Sequence, residues 1–335
     1  MPNLPEYKNL EEKSNFFQSD QGYVIENRRQ LDDWYRYYTA DVKREYPTQL
    51  IYRGSNEAKY KIYSSAQRLW IQEYLSQWRD HFSFKDFIIQ LVNQAKEIPL
   101  IKDIFDTYDY GENERDFPIL SLLQHYGAPT PVVDWTYDIN KALYFAVDGV
   151  RKSGSNDPGK ITNYMSVYLI DRRGRDNREL LSLLDIANNS STYPSIESFR
   201  EFGDEYLENA NSLFTLSDFE TTHDERFQGD LRVRTTKPLT SIFNQNIIAQ
   251  KGLLMFNPFR DRPIEQLFNS SDGAQGSNLN LQPFQCFNIH KDLADYLRRK
   301  IHGDFQISKH TIYPNLYDQA TSVRETVLNQ LASSG

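Results

Sequence analysis

Cys286 is the single cysteine among the 335 residues, so no disulfide can close within the chain. A lone thiol fits a reducing compartment. Around it Phe284, Gln285, Phe287 and Asn288 alternate apolar and polar, so a packed strand position accounts for Cys286 without any chemistry. Long apolar runs are missing as well. Leu253-Leu254-Met255-Phe256 is typical of the longest, against the roughly 20 residues a membrane-crossing helix needs. The opening Met1-Pro2-Asn3-Leu4-Pro5-Glu6 has neither the basic nor the apolar stretch of a secretory leader. These features lead to the expectation of a cytoplasmic protein with no membrane contact. Basic runs are also absent. The net charge is -8 and the pI about 5.4, a balance that argues against non-specific nucleic-acid binding. A small phosphate-bearing ligand needs only one or two cations and stays open. The six histidines show no H-x-x-x-H or H-E-x-x-H spacing and have no cysteine partners, so no metal is expected. No Walker loop, G-x-G-x-x-G or G-x-S-x-G occurs.

What the chain has is aromatic residues, 14% of the total, within a hydrophobic share of 39%. That is enough for a core rich in Tyr and Phe. Leu31, Trp34, Tyr35, Tyr38 and Ala40 suggest one amphipathic helix in residues 1–47, an N-terminal helical extension of a core spanning 48–335. Gln49-Leu50-Ile51-Tyr52-Arg53-Gly54 reads as a strand ending in a turn. Residues 66–97 have helical spacing, with a capping box at Ser83 and Asp86 and Pro99 just beyond the end. Asp116 is the expected cap of the next helix, and Gly127 its left-handed terminus. Val132-Val133-Asp134-Trp135 reads as a short buried strand, and Asp138 as the cap of a helix carrying Ile139 to Ala146. Met165 to Ile170, Leu231 to Thr235, two strands within Ile247–Phe256, and Phe284 to Ile289 complete the strand set. Residues 172–230, thin in apolar side chains, read as a partly helical insertion. Short strands and helices without a βαβ rhythm argue for an α+β fold.

Gln124-His125-Tyr126-Gly127-Ala128-Pro129-Thr130 followed by Asp134-Trp135-Thr136 crowds polar side chains around a forced turn. Two readings stay open. His125 and Thr130 could satisfy the carbonyls of a buried helix end, or the same groups could face a ligand in a cleft. Arg53 is either a structural partner, for instance of Asp134, or an anion clamp.

Tyr52-Arg53-Gly54, the run Gln124 to Thr136, and Ala142-Leu143-Tyr144-Phe145-Ala146 resemble the signature of the FRG-domain family, with Gln250-Lys251-Gly252 and Tyr313 to Leu316 as later matches. The resemblance covers about residues 48–320. Two positions depart from it: Pro131 and Asn246 stand where the family carries Arg. The order of motifs is in turn similar to that of ADP-ribosyltransferases. It implies a split mixed β-sheet flanked by helices, with NAD or another nucleotide as ligand. On that resemblance Arg53, His125, Thr136, Gln250 and Glu265 are the catalytic candidates. Tyr52, Gly54, Gln124, Tyr126, Asp134, Trp135 and Tyr144 would line the ligand. Gln250 stands where such transferases place a Glu, which leaves a non-catalytic binding or sensing module as the alternative. Transferase and NAD glycohydrolase activity are the enzymatic readings.

Overall fold

The structure, a computed structural model, describes residues 3–17, 24–41, 50–73, 83–107, 115–151, 159–171, 214–218, 245–257, 259–268, 284–315 and 323. In chain order these form α1 (Leu10–Ser14), β1 (Val24–Ile25), α2 (Arg28–Arg36), β2 (Leu50–Ser55), α3 (Ser65–Gln72), α4 (Phe84–Lys96), α5 (Pro99–Thr107), α6 (Asp116–His125), β3 (Val132–Thr136), α7 (Ile139–Val147), β4 (Tyr164–Asp171), β5 (Phe214–Asp218), α8 (Gln245–Gln250), β6 (Gly252–Phe256), α9 (Ile264–Phe268), β7 (Phe284–His290), α10 (Ala294–Gly303) and α11 (Lys309–Ile312). The seven strands make one mixed sheet in the order β1-β7-β4-β2-β3-β6-β5, with helices against it. The fold is α+β.

Strand alternation sorts the core. Leu50 and Tyr52 of β2 point to one face, where Val167, Leu169, Phe287 and Ile289 pack with Ala142, Leu143 and Ala146 of α7 and Leu297 of α10. Further along that face Val132, Leu254 and Phe256 pack with Ile119 and Leu120 of α6 and Ile88 of α4. The opposite face carries Ile51, Val133, Trp135, Tyr168 and Cys286, covered by Tyr7 and Phe17 from the N-terminal residues and by Ile62 and Ile264.

Lys13 of α1 is almost wholly enclosed on that second face, at 1% exposure. Its ammonium donates to the Ala58 carbonyl at 2.7 Å, the Ser166 hydroxyl at 2.8 Å and the Tyr168 hydroxyl at 3.0 Å. A buried cation costs little only when its three donors are all used. The N-terminal residues therefore pack as part of the second core.

Several expectations are met. Ser83 and Asp86 form the capping box of α4, Gly127 has a φ of +80°, and Asp138 caps α7 by accepting from Asn140 N at 3.0 Å. Others are corrected. Gly54 lies inside β2, not in a turn. Residues 245–250 are helical, not a strand, with Ile247 buried beside Leu254 and Phe256 and Ile248 exposed. Pro99 opens α5, where its missing N–H is not needed. The residue before α6 is Arg115, which makes no side-chain cap. Asp116 sits in the first turn and pairs with Lys96 at 2.5 Å. The expected strand 231–235, the loop 270–280, the helix beyond Leu316 except Val323, and all of the segment 172–230 except β5 lie outside the described residues.

Candidate functional site

β2 and β3 are neighbours that barely pair. β2 pairs along its whole length with β4, from Leu50 opposite Asp171 to Ser55 opposite Ser166. Against β3 its one register pair is Tyr52 opposite Thr136. Beyond that pair the strands part, and the Asp134 carbonyl receives no strand N–H from β2. The Arg53 guanidinium replaces it, donating from Nη1 to the Asp134 main-chain oxygen. Arg53 is thus neither a plain ion-pair partner of Asp134 nor a free clamp. One N–H is committed to the sheet, and no other acceptor among the described residues takes the rest.

Gly54 explains why the triplet needs glycine. A Cβ there would lie 1.9 Å from the Ala142 carbonyl oxygen and 2.6 Å from the Ala146 nitrogen. α7 rests its backbone directly on β2, which requires Gly on the strand and small residues four apart on the helix. Tyr52, 3% exposed, faces that same packed side. Gly54 and Tyr52 therefore position the site and do not line it.

On the β3 side, Gln124 joins three elements. Its amide Nε2 donates to Asp134 Oδ2 at 2.8 Å, and its Oε1 accepts from the Thr130 hydroxyl. Thr130 N in turn donates to Ser65 Oγ at 2.9 Å, and Thr130 O accepts from Ser65 Oγ at 3.2 Å. This relay holds the Asp134 carboxylate in a solvent-exposed position on an otherwise buried strand. His125 lies against Asn246 of α8, with the amide nitrogen 2.9 Å from Nδ1. Burial lowers its pKa below the usual 6.5, while the Asp134 charge pulls the other way. Arg53 likewise has its pKa lowered, first by burial and also by Arg68, against the raising effect of Asp134. Asp134 is thus the electrostatic centre shared by Arg53, His125 and Arg68.

The aromatic candidates divide. Tyr126 is 75% exposed and meets the His125 ring edge-on at 4.7 Å. Tyr144 is buried beside Phe145 at 5.7 Å, and Phe145 lies 6.4 Å from Tyr313. Trp135 points to the opposite face, 2% exposed and 5.9 Å from Phe284, away from the Asp134 carboxylate.

Three predicted catalytic groups are engaged in the fold. The Thr136 hydroxyl donates to the Gln250 carbonyl at 2.6 Å and accepts from Asp138 N at 3.0 Å. The Gln250 amide donates to the Ile312 carbonyl at 3.3 Å. Glu265, 0% exposed, accepts from the Tyr7 hydroxyl at 2.7 Å and from Ile62 N at 3.2 Å. Burial raises its pKa above the usual 4.5. Glu265 lies beneath the second face and not beside Gln124 and His125.

Arg68 and Asn246 were not among the predicted site residues. Asn246 was noted only for the Arg it replaces; its amide now orients His125. Arg68 had a legible signal, since Ser64 and Gln67 form a capping box that fixes the start of α3 and Arg68 follows Ser65 by three.

The class this defines is an α+β protein whose mixed sheet parts between an Arg-bearing strand and an Asp-bearing strand, with a polar constellation at the parting. Residues 48–155, a span that takes in β2 to α7, match the family model described as the FRG domain. The match contains Arg53, Arg68, Gln124, His125, Asp134, Thr136 and Tyr144, whereas Gln250 and Glu265 lie outside it. No curated protein and no solved structure matches the chain. Among the described residues no group of three or more His, Cys, Asp or Glu could hold a metal, and no helix is long and apolar enough to cross a membrane.

Proposed function

We propose that the parting of β2 and β3 binds a nucleotide or another small phosphate-bearing ligand, as a binding or sensing module that makes and breaks no bond in it. The supporting observation is the gathering of Arg53, Gln124, His125 and the exposed Asp134 carboxylate around one opening in the sheet. A guanidinium with unused N–H groups suits phosphate oxygens, and a carboxylate beside it suits ligand hydroxyls.

ADP-ribosyltransferase-like chemistry on NAD is the second reading. It draws support from the sheet order, in which the Tyr-Arg-Gly strand β2, the Thr136 strand β3 followed by α7, and β6 run side by side. What weakens it is the carboxylate. Loss of nicotinamide creates an oxocarbenium-like centre that needs a negative charge aimed at it. Gln250 is neutral with its amide occupied, and Glu265 is sealed by Tyr7 and Ile62. Binding without turnover therefore fits better.

Calorimetric titration with NAD, ADP-ribose and AMP, alongside an assay for released nicotinamide, tests both readings. Arg53→Gln keeps a donor for the Asp134 carbonyl and removes the charge. The expected result is binding that weakens about tenfold or more in Arg53→Gln, from loss of a charge-assisted bond, with no nicotinamide formed. Nicotinamide release by the wild type, abolished in the variant, would replace the module with the enzyme. Absence of binding across the panel would sink the proposal.

A further inference from the structure

The Arg68 main chain belongs to the first turn of α3, its N–H donating to the Ser64 carbonyl at 3.0 Å, so the place of its side chain is fixed tightly. The start of α3 is held from three directions. Ser64 caps it and is capped in return by Gln67. The Gln67 amide donates to the Phe259 carbonyl at 2.7 Å and the Arg262 carbonyl at 2.8 Å. Ala66 N donates to the Thr130 carbonyl at 3.0 Å, next to the Ser65 hydroxyl that bonds the same residue. Positions three apart are neighbours on a helix surface, so Arg68 rises beside Ser65 on the side that faces Thr130. From Thr130 the chain of contacts runs through Gln124 to the Asp134 carboxylate. Arg68 is exposed on this side, and among the described residues no hydrogen bond or ion pair engages its guanidinium. Two arginines from different elements, one on β2 and one on α3, thus flank a single carboxylate. The local sum is positive in a chain whose net charge is -8. Asp134 acts electrostatically on both.

We propose that Arg68 is the principal phosphate-binding side chain of this site, completing with Arg53 a two-guanidinium clamp that takes a phosphate or pyrophosphate group. The inference deepens the binding reading above and rests on it. Arg53 spends one N–H on the sheet; Arg68 has its whole planar fork available for paired bonds to two oxygens. Because an exposed side chain is involved, its loss costs little stability.

Inorganic pyrophosphate is the probe, titrated calorimetrically into the whole chain at low ionic strength, in wild type, Arg68→Gln and Arg68→Lys. ADP-ribose is titrated in parallel. Wild type is expected to bind pyrophosphate, Arg68→Gln to bind it at least about tenfold more weakly, and Arg68→Lys to fall between, since charge survives and the fork does not. Unchanged melting temperatures keep a folding defect out of the comparison. Equal pyrophosphate affinity in wild type and Arg68→Gln, or no pyrophosphate binding by the wild type, overturns the clamp. ADP-ribose binding that persists under either of those results leaves the broader binding proposal standing. Failure of both probes removes the two together.

Discussion

Replacing Gly54 by Ala puts a methyl group where α7 already is. The nearest atoms are the Ala142 carbonyl oxygen at 1.9 Å and the Ala146 nitrogen at 2.6 Å. Both belong to the main chain, so no rotamer change relieves the clash. To reach ordinary contact of about 3.5 Å the helix must retreat by roughly 1.5 Å. A gap of even 0.5–1 Å forfeits about a quarter to a half of the dispersion energy across it. α7 has Ile139, Ala142, Leu143, Tyr144, Ala146 and Val147 buried, and all of them are in the cluster shared with β2 and α10. Overpacking usually costs about 1–3 kcal/mol; with unyielding backbone on one side, about 4 kcal/mol is expected here. That is a large part of the roughly 5–15 kcal/mol that holds a domain folded. Urea unfolding with linear extrapolation measures it. Two controls sharpen the reasoning. Gly127→Ala, at φ +80° with nothing within 4 Å of its Cβ, should lose only about 1–2 kcal/mol, from backbone strain. Adding Ala142→Gly to Gly54→Ala should restore nothing, because the obstructing oxygen is not in the side chain. A Gly54→Ala protein within about 1 kcal/mol of wild type, or one rescued by Ala142→Gly, would refute the close-approach argument.

Two other expectations concern protons. Burial raises the Glu265 pKa above 4.5, so the native state keeps this proton at pH values where the unfolded chain has released it. The stability contributed is full below about 4.5 and is lost as pH rises through the elevated native value. Glu265→Gln should remove that slope, and parallel pH profiles of unfolding free energy for wild type and variant would contradict it. His125, its pKa lowered by burial, should titrate below 6.5 by NMR, and Asp134→Asn, which removes the charge favouring the imidazolium, should lower it further. A midpoint above 6.5 in the wild type would mean that the imidazole is not held as described.

Much of this architecture could be read in the residues because the forces involved are local. Ser83 with Asp86 and Asp138 with Asn140 satisfy helix-start donors over two or three positions, and alternation around Cys286 marks β7. The error at Ile247 to Gln250 has the opposite origin. Two adjacent β-branched residues favour a strand by propensity, but burying Ile247 while exposing Ile248 is settled by what lies across from them. The site divides in the same way. Gln124, His125 and Asp134 were found because a short polar run around a turn concentrates them. Glu265 was misjudged because its partners, Tyr7 and Ile62, lie over two hundred residues away in the chain. Arg68 was missed because the hydrogen bonds of Ser65 and Ala66 to Thr130, some sixty-five residues away in the chain, are what bring its helix to the site. The role of Gly54 was visible as a motif, while its cause, the backbone of α7, was not.

The sparse pairing of β2 with β3 has one more consequence. Main-chain bonds knit each half of the sheet closely, yet the halves meet along a seam that one register pair and a single arginine largely bridge. A guest held by Arg53 on one bank and by Gln124 or Asp134 on the other would act as a stitch across that seam, so occupancy and the cohesion of the whole sheet are bound to rise and fall together.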